Sequence, residues 1–432
     1  MAYNRKQRLN DNIKAIETAF ILDREQRTPT ARERLLLERY CGFGGLKCIL
    51  NPARELADAV HWAKSDLELF APTVELHRLI RENSKNESEY KQLMDSLKQS
   101  VLTAFYTPSA ITEALTDVLK EHHIIPEKVL EPSAGIGAFV DSVLDNNPKA
   151  DIMAFEKDLL TGKILRYLHP EQKVRIEGFE KIEKPFNDYF DLAISNIPFG
   201  DVAVFDPSYT AMKGMRALVT RRIHNYFFVK ALDTVRDGGL VAFITSQGVL
   251  NAKNNSAARF MMLYHADLVS AIRLPNNLFT ENANTEVGSD LIILQKNSQK
   301  ESLRGDDNLL DTVYNDENRI PTNNYFLEHP ERIIHTTAKL DTDPFGKPAM
   351  IYTHEDGVEG IAEDLRKMLH EDFKKNLNLN RYLGIEETKA EEVKEVEETE
   401  KIEKTEKMKP SIEEKQNDTV VSLQKQEKPT DD

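Results

Sequence analysis

Cysteine is close to absent from this 432-residue chain, occurring only at Cys41 and Cys48. A Cys-x6-Cys pair with no second ligand pair and no suitable His cluster does not make a zinc site. Two reduced, partly buried thiols and no metal are therefore expected. Long apolar runs are missing too. Nothing approaches the ~18 consecutive apolar residues of a membrane span. The opening Met1-Ala-Tyr-Asn-Arg-Lys-Gln-Arg8 leads into polar helical sequence and not into an apolar segment with a small-residue cleavage site, so a cytoplasmic location is expected. Positive charge is also scarce. The formal net charge is −15, and residues 1–385 alone carry 56 acidic against 48 basic side chains. That balance is unfavourable for a broad phosphate-binding surface.

What is present is enough for one large or two medium globular domains, since 40% of residues are hydrophobic and 8% aromatic. Residues 1–104 read as a helical N-terminal region, with apolar sets at Ile13, Ile16, Ala19, Phe20 and at Leu35, Leu36, Leu37, Tyr40. The Gly42-Phe-Gly-Gly45 cluster interrupts it as a turn. Residues 105–300 change to short apolar runs alternating with helical segments, the pattern of an α/β fold with a parallel sheet. Seven strands are predicted: Lys128–Glu131, Asp151–Phe155, Val174–Glu177, Phe190–Ser195, Gly239–Thr245, Leu268–Arg273 and Ser289–Gln295. A loop joins the last two, which predicts an antiparallel hairpin at one sheet edge. Residues 301–384 form a mixed extension with a helix over Gly360–His370. Residues 385–432 are a charged tail without aromatics, too poor in apolar surface to offset chain entropy, and are expected to be disordered.

Three elements carry chemistry. Val129-Leu-Glu-Pro-Ser-Ala-Gly-Ile-Gly137 is a strand running into a small-residue turn and then a helix, where glycines let backbone approach a ligand. Glu131 at the strand end suits an ammonium better than a phosphate. Glu156 ends the next apolar strand 21 residues after Gly135, the spacing at which an acid meets ribose hydroxyls. Gly162-Lys163 lacks the upstream glycine and the following Ser/Thr of a phosphate loop, so ATPase activity is not supported. The third element is the strand Tyr189–Ser195 ending in Asn196-Ile197-Pro198-Phe199. The Asn196 side-chain carbonyl and the Ile197 main-chain carbonyl can accept hydrogen bonds from an exocyclic amino group, and Phe199 can stack on a base removed from its helix. Lys213, Arg216, Arg221, Arg222 and His224 form the best candidate stretch for binding nucleic-acid phosphates.

Together these residues resemble the amino-methyltransferases of DNA, in the order with the donor site before the catalytic motif. More closely, the chain is similar to the methyltransferase portion of the large helicase-methyltransferase proteins of phages and conjugative elements. The resemblance covers roughly residues 30–370 and includes Gly42-Phe-Gly-Gly-Leu46, Phe105-Tyr-Thr-Pro108, the glycine turn, Glu156–Ile164, Gly178-Phe-Glu180, Ser195–Gly200, Arg273-Leu-Pro275 and Thr285-Glu-Val287. It implies a Rossmann-like fold with a seven-stranded, mostly parallel sheet, S-adenosyl-L-methionine as cofactor and DNA as partner. Carried over by position, Thr107 and Pro108 lie near the methionine carboxylate, while Glu131, Pro132, Gly135 and Gly137 surround the methionine moiety. Glu156 meets the ribose, and Phe179 or Glu180 borders the adenine of the cofactor. Asn196, Ile197, Pro198 and Phe199 form the catalytic turn. Ile197 departs from the usual proline, at a position contributing a main-chain carbonyl.

The resemblance favours adenine N6 over cytosine N4. RNA or protein glutamine as substrate, and a non-catalytic DNA-binding or anti-restriction accessory, stay open. Helicase motifs and a large target-recognition domain are not evident after residue 300, so a helicase or recognition partner is expected to supply what they would.

Overall fold

The computed structural model describes residues 4–385 apart from 213, 281–285, 304–306, 316, 318 and 344–345. The charged tail, Lys213 and Thr285 of the sequence expectations lie outside the described residues.

The seven apolar runs form one sheet: β1 (Lys128–Glu131), β2 (Asp151–Phe155), β3 (Lys173–Arg175), β4 (Phe190–Asn196), β5 (Val235–Ser246), β6 (Ala266–Leu274) and β7 (Ser289–Lys296), in the order β3-β2-β1-β4-β5-β7-β6. β1 to β5 run parallel, and β7 is antiparallel to both β5 and β6. The last two strands do pair at the sheet edge, with the later one inside. β7 is buried at every position but Lys296, as a strand bonded on both sides must be. β5 starts four residues before the predicted Gly239 and runs through Gly238 at φ +74°, where a Cβ would collide with the Arg381 carbonyl. The register slips between Phe190 and Leu192 to absorb it.

Strand order reverses at β1, whose neighbours are β2 on one side and β4 on the other. Val129 pairs with Leu192 and Leu130 with Ala193, so the carboxyl ends of β1 and β4 emerge side by side. In open α/β sheets this switch point is where ligands bind.

Helices cover both faces. α5 (Ser109–Glu121) and α6 (Ala138–Asn146) bury Ile111, Leu115, Val118, Phe139 and Val143 in one core with β1, β4 and β5. On the opposite face Phe227, Phe228 and Leu232, from the helix Ile223–Thr234, join Met261 and Met262 from Ser256–His265.

The N-terminal region is helical as expected, with α1 (Arg5–Glu25), α2 (Ala31–Leu37), α3 (Phe70–Glu82) and α4 (Glu87–Thr103). Asn4 and Asn86 cap α1 and α4, and Thr30 with Glu33 makes a capping box on α2. Ile16, Tyr40, Phe43 and Leu97 from this region close a third core over Leu160, Ile164 and Leu168 of α7 (Leu159–Leu168). Leu35 departs from its apolar set and is exposed.

The predicted helix at 360–370 is the middle of a longer one, Gly357–Asn376. Its Ile361, Leu365, Leu369 and Phe373 are buried in the same core as α5 and the sheet. Residues 357–376 therefore complete the sheet's cover. Among the described residues no helix is long and apolar enough to cross a membrane.

The Phe373→Ala substitution, far from any candidate site residue in sequence, is expected to lower unfolding stability by about 3–5 kcal/mol. Urea denaturation checks it, and an unchanged midpoint would show that the helix is not needed to close the core.

Candidate functional site

The switch point gathers three sequence elements that are far apart in the chain. After β1, Gly135 and Gly137 take φ +56° and +93°, which lets the chain double back before α6 begins. The turn is tied to the next strand: Gly135 N–H donates to Glu156 Oε2 at 2.8 Å, and Ala134 N–H donates to the Phe155 carbonyl at 2.8 Å. The other Glu156 oxygen accepts from Asp158 N–H at 2.7 Å. Glu156 thus holds the glycine turn and the start of α7 together, a structural role beyond its spacing. Asp158 caps α7 through Thr161 N–H.

Of the strand-end acids, Glu131 is buried and Glu156 is partly buried. Burial pushes the Glu156 carboxyl up to about 8, with the Asp158 charge adding to it against backbone hydrogen bonds that lower it. Burial, followed by the charges of Glu156 and Asp141, raises Glu131 well above the carboxylate range. Glu131 Oε2 and Thr107 Oγ1 are buried without a hydrogen-bond partner among the described residues. Buried polar atoms are seldom left in that state, and two of them beside a glycine turn mark a place for a polar ligand.

The Phe105–Pro108 segment forms the opposite wall. The Tyr106 ring fills the space over Gly135, where an added Cβ would lie 2.8 Å from it. Its hydroxyl reaches Thr161 Oγ1 at 3.4 Å, and Tyr40 of the N-terminal region reaches the same oxygen at 3.2 Å. Gly42, at φ +67°, packs with its backbone against Ala104 and Tyr106, so the Gly42–Gly45 turn seats the segment leading into the site. A cleft of about 340 Å³ opens behind this wall, lined by Tyr40, Cys41, Tyr106–Pro108 and Ile136 together with Arg8 and Asp141; Glu131, Glu156 and Asn196 do not line it. Tyr40, Tyr106 and Asp158 were not singled out from sequence. The aromatic and capping positions inside Phe105–Pro108 and Glu156–Ile164 were the available signal.

Asn196 closes the site from β4. Its Nδ2 donates to the Phe105 carbonyl at 2.9 Å, and its Oδ1 is buried with no partner among the described residues. Flipping the amide would set two carbonyl oxygens against each other, so the bond fixes which atom is left to accept. Ile197 is buried and donates its N–H to the Ile244 carbonyl. Phe199 is half-buried, edge-on to Phe279 at 6.3 Å between centroids.

Other expected residues sit elsewhere. Phe179 is fully buried in the core, edge-on to Phe155 at 5.8 Å and tilted against Phe227 at 5.3 Å, so its ring supports the site from behind. Glu180 lies 3.6 Å from Lys157. In the basic stretch, Arg216 is paired with Asp233 and Arg222 with Asp201 at 3.0 Å. Burial lowers His224 to about 4, which keeps it neutral. Arg221 is exposed.

A family model for N-6 DNA methylases matches residues 88–391, well over half of the chain, and spans the glycine turn, Glu156 and Asn196. The chain belongs to the N-6 DNA methylase family. Among curated relatives, the Defense against restriction protein B of Escherichia phage P1 is 29% identical over 201 residues, which is 45% of this chain and 8% of that protein. The Type II methyltransferase M.XamI of Xanthomonas campestris pv. amaranthicola is 25% identical over 173 residues, covering 37% of this chain and 33% of that protein. The chain thus matches at most a third of the length of these relatives. A solved methyltransferase subunit of a type I restriction-modification system from Streptococcus thermophilus superposes with a TM-score of 0.39 at 12% identity, over 87% of this chain and 94% of that one.

The cofactor of this family is S-adenosylmethionine, and the site fits it chemically. The donor carries an ammonium, a sulfonium, a carboxylate and ribose hydroxyls. The chain offers one buried and one partly buried acid, a hydroxyl without a partner among the described residues and a glycine turn that a Cβ would block.

Two outcomes follow. Gly135→Ala, strained at φ +56° and driven into Tyr106, is expected to abolish donor binding in calorimetry while leaving the circular dichroism spectrum unchanged. Binding at wild-type affinity would remove the glycine turn from the donor site. Burial raises the carboxyls of Glu131 and Glu156, and a cationic ligand favours their charged forms. Donor binding should therefore release protons and tighten as pH rises toward 8, an effect that Glu156→Gln reduces. Calorimetry in buffers of differing ionisation enthalpy reads this directly, and affinity that is flat or falling over pH 6–8 would contradict it.

Proposed function

We propose that this chain transfers a methyl group from S-adenosylmethionine to the exocyclic amino nitrogen of a DNA base, with adenine N6 as the target. The observation that carries the reading is the Asn196 side chain: its amino group is committed to the Phe105 carbonyl while its buried oxygen has no partner among the described residues. Such an oxygen at the end of β4 is an acceptor prepared for an N–H that comes from outside the protein.

When bound, the donor supplies an electrophilic methyl carbon on sulfur. Thr107, Pro108, Glu131, Pro132, Gly135 and Gly137 are read as holding its methionine part and Glu156 its ribose. Glu180, at the edge of the core that Phe179 fills, is read as flanking its adenine. Asn196 Oδ1 and the Ile197 carbonyl accept the two amino hydrogens of the target. Those bonds draw the nitrogen lone pair out of ring conjugation and aim it at the methyl carbon. The N–C bond would form as the C–S bond breaks, the donor leaving as its thioether, and the methylated nitrogen would then lose one proton to water. Because Ile197 acts through its main chain, its side chain is free to pack in the core, and proline is not required there. Phe199 and Pro198 frame a base taken out of its stack, which an enzyme acting on a paired base requires. Arg221 is read as one of the phosphate contacts. Arg216 and Arg222 would have to leave their carboxylates to join it.

The test is transfer of labelled methyl to duplex DNA, RNA and cell protein offered in parallel. Label is expected in DNA as N6-methyladenine. Asn196→Ala should lower the rate by about 10²–10³ or more, the cost of losing an electrostatic contact made in the transition state, with donor affinity largely kept. Label in RNA or in protein glutamine alone would reassign the substrate. Donor binding with no transfer to any pool would favour a non-catalytic accessory.

A further inference from the structure

We propose that Phe205 is a wedge that enters the base stack of duplex DNA when the target base is drawn out to Asn196. The inference rests on the amino-methylation reading above and assigns it a residue.

Phe205 follows Phe199 by six residues, and its side chain is 79% exposed, against 61% for Val202 beside it. Large aromatic side chains bury apolar surface wherever the fold permits, so a phenylalanine left in water on a well-held backbone calls for a ligand. The backbone here is well held. Asp206, the next residue, is only 3% exposed. Its carboxylate accepts from Ser208 N–H at 2.8 Å, Ser208 Oγ at 2.6 Å, Tyr226 Oη at 2.7 Å and Lys230 Nζ at 3.2 Å. On the other side Val204 N–H donates to the Thr220 carbonyl at 2.8 Å, and Asp201 pairs with Arg222. The loop is therefore pinned before and after Phe205 while the ring itself is given to solvent. Thr220, whose carbonyl takes the Val204 N–H, is followed by the exposed Arg221.

Removing a base from a duplex leaves a gap and costs its stacking, and apolar side chains inserted between base steps are one way proteins hold the opened state. A rigid aromatic tip six residues past the turn that receives the base meets that need. A protein partner docked on the same apolar loop is the alternative, and the test separates the two.

Initial rates of labelled methyl transfer are measured on plasmid DNA as duplex and on the same DNA after heat denaturation, with wild type, Phe205→Ala, Phe205→Trp and Asn196→Ala. The wedge predicts that Phe205→Ala loses about tenfold or more on duplex, where opening must be assisted. On denatured DNA it should stay within about twofold of wild type, since no stack has to be opened. Phe205→Trp should keep most duplex activity, and Asn196→Ala should fail on both substrates. Phe205→Ala acting like wild type on duplex, or losing equally on both, overturns the wedge while leaving the methylation reading standing. Wild type that labels protein and no DNA overturns both and makes the loop a protein-docking surface. Because the ring is exposed, unchanged thermal melting of Phe205→Ala is expected and excludes misfolding as the cause.

Discussion

The hydrogen bond from Asn196 Nδ2 to the Phe105 carbonyl, 2.9 Å long, joins β4 to the segment that leads into α5. It decides that the amide presents its oxygen and not its nitrogen to whatever enters. Much of the surrounding structure serves to keep its two ends in place. β1 and β4 lie adjacent because the strand order reverses there, which brings Glu131 and Asn196 to one rim. Phe105–Pro108 is held against the glycine turn by Tyr106, whose hydroxyl shares Thr161 with Tyr40. Asn12 in turn fixes the Gly42 turn, donating to the Gly42 carbonyl and accepting from Cys41 N–H. The N-terminal helices thereby reach the site through backbone and hydroxyl contacts, without contributing a reactive group.

The strand-end acids dominate the electrostatics of the rim: burial raises the carboxyls of both Glu131 and Glu156. Most of the basic stretch near 213–224 is spent inside the protein: Arg216 anchors Asp233, Arg222 anchors Asp201, and His224 is neutral in its buried setting.

The strands were legible because parallel strands buried on both faces read as unbroken apolar runs, as in Asp151–Phe155 and Phe190–Asn196. Their order was legible only in part. That β7 inserts between β5 and β6 depends on packing across 20 or more residues, and no local pattern encodes it. The glycine turn and Asn196 stand out in the sequence as distinctive residue types at strand ends, and the fold brings both to the carboxyl ends of β1 and β4. The burial of the Phe179 ring was not legible, because an aromatic next to a turn looks the same whether its ring lines a pocket or fills the core behind one. The partners of Arg216 and Arg222 were hidden for a related reason: charge in a sequence is visible, but the carboxylate that neutralises it, at position 233 or 201, is chosen by the fold. Tyr40 was read as core, and it is, yet its hydroxyl also reaches the site, a second role that hydrophobic spacing cannot reveal.

The account turns on what the free oxygen of Asn196 accepts. A structure of the protein with a non-reactive donor analogue and duplex DNA measures this directly. The account predicts an extrahelical adenine whose exocyclic nitrogen lies about 2.7–3.2 Å from Asn196 Oδ1, with Nδ2 still on the Phe105 carbonyl. A stacked target strand, or an Asn196 amide turned so that its oxygen meets a protein donor, would contradict it.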